Sequence, residues 1–225
     1  HIYTPNAGTA GVSGMLVFSS GTTSSGNSGA VSIGTGQAKS GGRGGELMLT
    51  VGAGTSGTGG VMRMYAGDSS VKTGGAIYIE SGHGSTTSSG LIQIRTANAG
   101  TSGRSGLLSF STGSTTKGNS GYLYIGTGNA VSGHGGSISL TVGNGDTGNG
   151  GDISVVAGRT SDATGGSVEI ASGESSAKSS GDLHIYTPNA GTAGVSGMLV
   201  FSSGTTSSGN SGAVSIGTGQ AKSGG

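Results

Sequence analysis

Gly14-Met15-Leu16-Val17-Phe18-Ser19-Ser20-Gly21 is a phrase that the rest of the chain repeats. It consists of a glycine, a free position, an aliphatic, a variable position, a second aliphatic or Phe, two further positions that end on a small residue, and another glycine. The phrase recurs from one end of the sequence to the other, its opening glycine falling next at Gly29, Gly45, Gly60, Gly75 and Gly90. Numbering each unit from the residue after its first glycine puts Leu16 at position 2, Phe18 at position 4 and the closing glycine, here Gly29, at position 15.

Aligned this way, two columns contain no polar residue. Position 2 holds Leu16, Val31, Leu47, Met62, Ile77, Ile92, Leu108, Leu123, Ile138, Ile153, Val168 and Leu183. Position 4 holds Phe18, Ile33, Leu49, Met64, Ile79, Ile94, Phe110, Ile125, Leu140, Val155, Ile170 and Ile185. Position 3 between them is mostly polar, with Ser32, Arg63, Gln93, Ser139 and Glu169 among its members. Alternation with period two is the signature of an extended strand with one apolar side. Position 7 is Gly in ten of twelve units, which places a turn there, and position 9 is confined to Gly, Ala, Ser and Thr.

The units nest in longer periods. His1 to Gly42 recurs unchanged as His184 to Gly225, and the long repeat that begins at His1 and begins again at His184 consists of two six-unit halves. One half answers the other where Phe18-Ser-Ser-Gly matches Phe110-Ser-Thr-Gly. These regularities predict an all-β fold, a parallel β-solenoid built from coils of 15–16 residues and rod-like or filamentous in shape. Like positions would stack about 4.8 Å apart. The chain, 1–225, is expected to be one continuous solenoid of about fifteen coils with no domain boundary.

The expected inner wall is Leu16, Phe18, Val31, Ile33, Leu47, Leu49, Ile77, Ile79, Ile92, Ile94, Leu108, Phe110, Leu123, Ile125, Ile138 and Leu140. It would pack against the small residues of position 9 across a thin interior. Two buried aliphatics contribute about 3–6 kcal/mol per coil. Fixing fifteen backbones costs on the order of 15–30 kcal/mol, with glycine the most expensive. One coil is therefore unfolded on its own, and only stacking of many can offset the loss. Units with one extra residue close at Gly45, Gly106 and Gly197, and each is expected to bulge slightly.

Composition narrows the function. The 225 residues include 54 Gly, no Cys and only 8% charged residues, with a net charge of +1. A chain rich in Gly, Ser and Thr would ordinarily read as a linker, but periodic aliphatics argue for order. Near-neutral, dispersed charge argues against nucleic acid, and no apolar run is long enough for a membrane span. Without Cys there are neither disulfides nor thiolate metal sites. The chain opens at His1-Ile2, partway through a repeat, and is read as a piece of something longer.

Candidate sites are few. His1, His83, His134 and His184 fall in different columns and do not converge on a metal. Asn144-Gly145-Asp146-Thr147-Gly148-Asn149-Gly150-Gly151-Asp152 has the flavour of a calcium-binding nonapeptide, but that device works by recurring at each successive turn. Here it occurs once, so no calcium site and no other cofactor is expected. Glu80 and Arg95 share position 5 of adjacent units and are expected to form a surface ion pair worth under about 1 kcal/mol. Tyr78 and Tyr124, at the outward position 3, are the candidates for surface recognition, since exposed Tyr stacks on sugar rings. Nine acidic residues spread along the chain supply no clustered acid and base, so no enzyme is expected. No Asn-x-Ser/Thr sequon exists, while Thr22, Thr86, Thr87 and Thr116 are open to O-glycosylation.

The unit, written [Ser/Gly]-Gly-x-aliphatic-x-aliphatic-x-small-Gly, resembles the Gly/Ser/Thr-rich tandem β-solenoid repeats of extracellular fibres and cell-surface adhesins. The resemblance covers the whole chain and is architectural. It implies an extracellular or cell-surface structural protein that forms a fibre, filament or stalk. Its partner would be itself, end to end or laterally. The alternative is an adhesin or glycan-binding surface recognising polysaccharide through outward Tyr, Asn and Gln.

Overall fold

A stretch of alternating character followed by one rich in Gly, Ser and Thr makes two different local structures. In a computed structural model, which describes residues 1–220, each unit is an extended arm followed by a loop that returns to its own starting point. The chain divides into two units by proximity, His1–Phe110 and Ser111–Gly225. The first contains the loops closed at Gly14, Gly29, Gly45, Gly60, Gly75, Gly90 and Gly106. The second contains those closed at Gly121, Gly136, Gly151, Gly166, Gly181, Gly197 and Gly212.

Among the described residues there is no helix and no β-strand. The all-β parallel solenoid that the period predicts is therefore not the fold of this chain. The reason lies in the loops. A solenoid needs the Gly/Ser/Thr segment to cross over and serve as the wall opposite the aliphatics. Here that segment closes instead on position 6 of its own unit and leaves the aliphatics uncovered. The arms then have no hydrogen-bonded neighbour of the kind a sheet requires.

Exposure follows directly. No described residue is buried, polar or apolar, and the accessible surface totals 22780 Å². A globular protein of this mass would expose about 9,000 Å² and its unfolded chain about 31,000 Å². The residues assigned to an inner wall are all in water. Leu16, Val31, Leu47, Ile77, Ile92, Leu108, Leu123 and Ile138 are 47–62% exposed. Phe18, Ile33, Leu49, Ile79, Ile94, Phe110, Ile125 and Leu140 are 55–74% exposed. The expected ladder of Leu16 over Val31 over Leu47 is not a core. The outward side overlaps them: Tyr78 and Leu91 are 90% and 84% exposed, but Val17 and Met48 are 64% and 67%.

The chain reverses at the loop tips and not at position 7. Bends cover Ser24–Gly26, Ser70–Lys72, Thr116–Gly118 and their counterparts. Eight of the ten glycines three places before a closing glycine take positive φ, for example Gly26 at 102°, Gly118 at 105° and Gly148 at 81°; Gly42 and Gly133 do not. The left-handed region carries a steric penalty for any residue with a Cβ. Gly26→Ala should therefore open its tip at a cost of about 1 kcal/mol. The Ser25 amide, held 3.2 Å from Thr23 Oγ1, is the reporter: its exchange should quicken roughly five-fold. Gly21→Ala, where an added Cβ meets nothing within 4 Å, should leave that rate unchanged.

The extra residue of the longer units sits in the loop and not in the arm. Gly103 and Gly194 keep their place three positions before Gly106 and Gly197. In the unit closing at Gly45 the insertion falls after the tip, where Gly41 has φ of 82° and Ser40, at 58°, is the one non-glycine of positive φ among the described residues.

Candidate functional site

Two structural points recur in every unit: the neck, where the loop closes, and the tip. At the neck, the closing glycine lies against position 6. An added Cβ would come within 3.2 Å of the Thr4 side chain at Gly14, 3.3 Å of Ser81 Cβ at Gly90 and 2.7 Å of Val142 Cγ1 at Gly151. Ten of the fourteen closing glycines would bring an added Cβ to 3.3 Å or nearer, whereas Gly29, Gly121, Gly181 and Gly212 would make ordinary contact at 3.5–3.8 Å. At those ten necks the lack of a side chain is a packing requirement.

Polar groups tie the neck. The hydroxyls of Thr4, Thr35, Thr127 and Thr187 donate to the carbonyls of Gly14, Gly45, Gly136 and Gly197 at 2.9–3.2 Å. Four other necks are closed by backbone: Gly75, Gly90, Gly166 and Gly181 donate their N–H to Gly67, Gly82, Gly158 and Gly173 at 2.8–2.9 Å. These four units are the ones with a residue other than Gly three places before closure: Lys72, Thr87, Ala163 and Lys178. None of the four takes positive φ. In these four units a residue with a Cβ stands at the tip, and the carbonyl of the position 7 glycine accepts the bond.

Position 9 organises the tip. Ser69 Oγ accepts from the Val71 and Lys72 N–H at 3.4 and 2.9 Å, and Ser175 Oγ accepts from Ala177 and Lys178 at 3.3 and 2.9 Å. The hydroxyls of Thr23, Thr115 and Thr206 donate to the carbonyls of Ser25, Lys117 and Ser208 at 2.8–3.0 Å. Such local side-chain bonds replace a backbone turn. Where position 9 is Gly84, an added Cβ would lie 2.7 Å from the Thr87 carbonyl oxygen. Where position 9 carries a hydroxyl, and at Gly84, the small residue therefore serves the loop, not a wall facing the aliphatics. The hydroxyl of position 9, placed just ahead of the Ser/Gly-rich bend, is the sequence signal that points to this role.

The candidate residues for chemistry stay apart. His184 Nε2 lies 4.0 Å from Asp182 Oδ2, both side chains exposed. Glu80 and Arg95 do not pair. No group of three His, Asp or Glu side chains converges among the described residues. In the calcium-like stretch, Thr147 Oγ1 donates to its neighbour Asp146 Oδ1 at 3.5 Å. Two surface concavities are each lined by consecutive residues, Arg104–Leu107 and Arg95–Asn98, and bring no distant groups together. Tyr78 and Tyr124 are open to solvent, and the Tyr124 hydroxyl lies 2.5 Å from where a Cβ on Gly126 would be. No helix is long and apolar enough to cross a membrane among the described residues.

No family model, no curated protein and no solved structure matches this chain.

Proposed function

We propose that this chain is a structural repeat protein of an extracellular fibre, filament or stalk, with association between copies, and not catalysis, as its work. The supporting observation is the exact repeat. Among the described residues, the identical tracts 1–37 and 184–220 place their bends at the same positions. The Thr23 to Ser25 hydroxyl bond and its Thr206 to Ser208 counterpart are both 2.8 Å, and Gly26 and Gly209 have φ of 102° and 100°. Leu16 and Leu199 are 50% and 49% exposed. The loop bonds at the necks lie within single units, which suits an array whose length is the functional variable. Its charges are spread along the units, which supplies no acid–base pair.

The test is location. Antibodies raised against the loop peptide Gly113–Gly121, gold-labelled on native material, should decorate extracellular filaments at regular intervals. Labelling confined to the cell interior would overturn the proposal.

A second reading has one observation in its favour. Tyr78, Tyr122 and Tyr124 present nearly their whole side chains to water, and exposed Tyr suits stacking on sugar rings. If the chain recognises polysaccharide, saturable retention on a glycan resin should fall about ten-fold in Tyr78→Ala/Tyr124→Ala, the loss expected for two stacking contacts. Equal retention of variant and parent would exclude those two residues from any such surface.

A further inference from the structure

We propose that the aliphatic side of the arms is the docking surface for a second copy of this chain, set so that the periods of the two copies coincide; this deepens the fibre reading above and rests on it. Three observations carry it. The first is area. The chain exposes 22780 Å², about 14,000 Å² more than a globular protein of its mass. A stable interface needs only about 1,200–2,000 Å² in total. The surplus is several-fold larger than that requirement.

The second is period. Position 2 and position 4 present an aliphatic or Phe pair in unit after unit, all about half or more exposed, from Leu16 and Phe18 to Leu199 and Phe201. A partner that covers these pairs must offer apolar groups at the same spacing. A second copy does so without further design. The extra residue of each longer unit is taken up in a loop, as at Gly45 and Gly106, so the arms of two copies keep step.

The third is charge. With 8% charged residues and a net charge of +1, like copies meet little mutual repulsion. No position 2 or 4 residue is charged. A partner of opposite charge would find nothing there to select it. The outward series differs in this respect, since position 3 includes Arg63 and Glu169.

Sedimentation equilibrium of the full chain tests the proposal. Ile77→Asp/Ile92→Asp/Leu108→Asp places three carboxylates on the aliphatic side of successive arms. Tyr78→Asp/Gln93→Asp/Ser109→Asp places three on the opposite side. Because none of these residues is buried in the single chain, neither triple should disturb its loops. The Gly75 and Gly90 amides, bonded at the necks, report that through unchanged exchange rates. The parent should associate, the first triple should weaken association at least about 100-fold, and the second should stay within about three-fold. A parent that remains monomeric to millimolar concentration, or equal weakening by both triples, overturns the proposal. Filaments decorated by the antibody while both triples associate normally would leave the fibre reading standing and remove this surface from it.

Discussion

Heating a dilute solution of this chain should produce no sharp heat-absorption peak. Cooperative unfolding draws on surface that is buried together and exposed together. The chain already exposes 22780 Å², about three-quarters of what its unfolded form would expose. A globular domain of this length would unfold with a heat-capacity increase of about 3 kcal/mol/K. In proportion to the area left to expose, the expected increase here is about 1 kcal/mol/K, spread over a broad range. Loops that close on their own residues open one by one, so no common midpoint is expected. Differential scanning calorimetry below the association range is the measurement. A single transition with an enthalpy near about 0.7 kcal/mol per residue would mean that the aliphatics share a core after all.

The second large effect concerns a neck. Gly151→Ala would drive its Cβ to 2.7 Å from Val142 Cγ1, well inside contact distance. Either Val142, stiff at χ1, leaves its rotamer or the neck opens, at a cost of about 1–3 kcal/mol. Hydrogen exchange across residues 143–151 should quicken about five- to one-hundred-fold. Val142→Ala removes the obstructing methyl, so the same glycine change made in that background should have little effect. This coupling is the discriminating result. Gly143→Ala, where nothing lies within 4 Å, should be silent in either background. Equal acceleration from Gly143 and Gly151 would show that backbone entropy, not contact, selects glycine at closure.

The repeat unit and its internal polarity were legible from the sequence. The alternation at Ile77 and Tyr78 coincides with a difference in exposure, 56% against 90%, but Val17 at 64% and Phe18 at 63% show that it does not hold in every arm. The partner of the apolar side was not legible. Period two states which way a side chain points and is silent on what lies opposite. Position 9 does not form an opposite wall. Thr23 and Ser69 are small because their hydroxyls make the tip, and Gly84 because a carbonyl crowds it. Glycine at position 7 was likewise given the turn, whereas the turn belongs to Gly26 and its counterparts, and Gly67 and Gly82 act as acceptors at the neck. Glu80 and Arg95 share a column in the alignment, but a column is a neighbourhood only if the arms stack.

Closure of each loop on residues of its own unit has a bearing on inheritance. Thr4 meets Gly14 and Thr187 meets Gly197 in the same way, whatever lies between. A slipped recombination between such near-identical tracts would remove or add whole modules and leave the neck bonds of the remaining ones in place. Length should then be adjustable by module number, without change to the residues of any one neck.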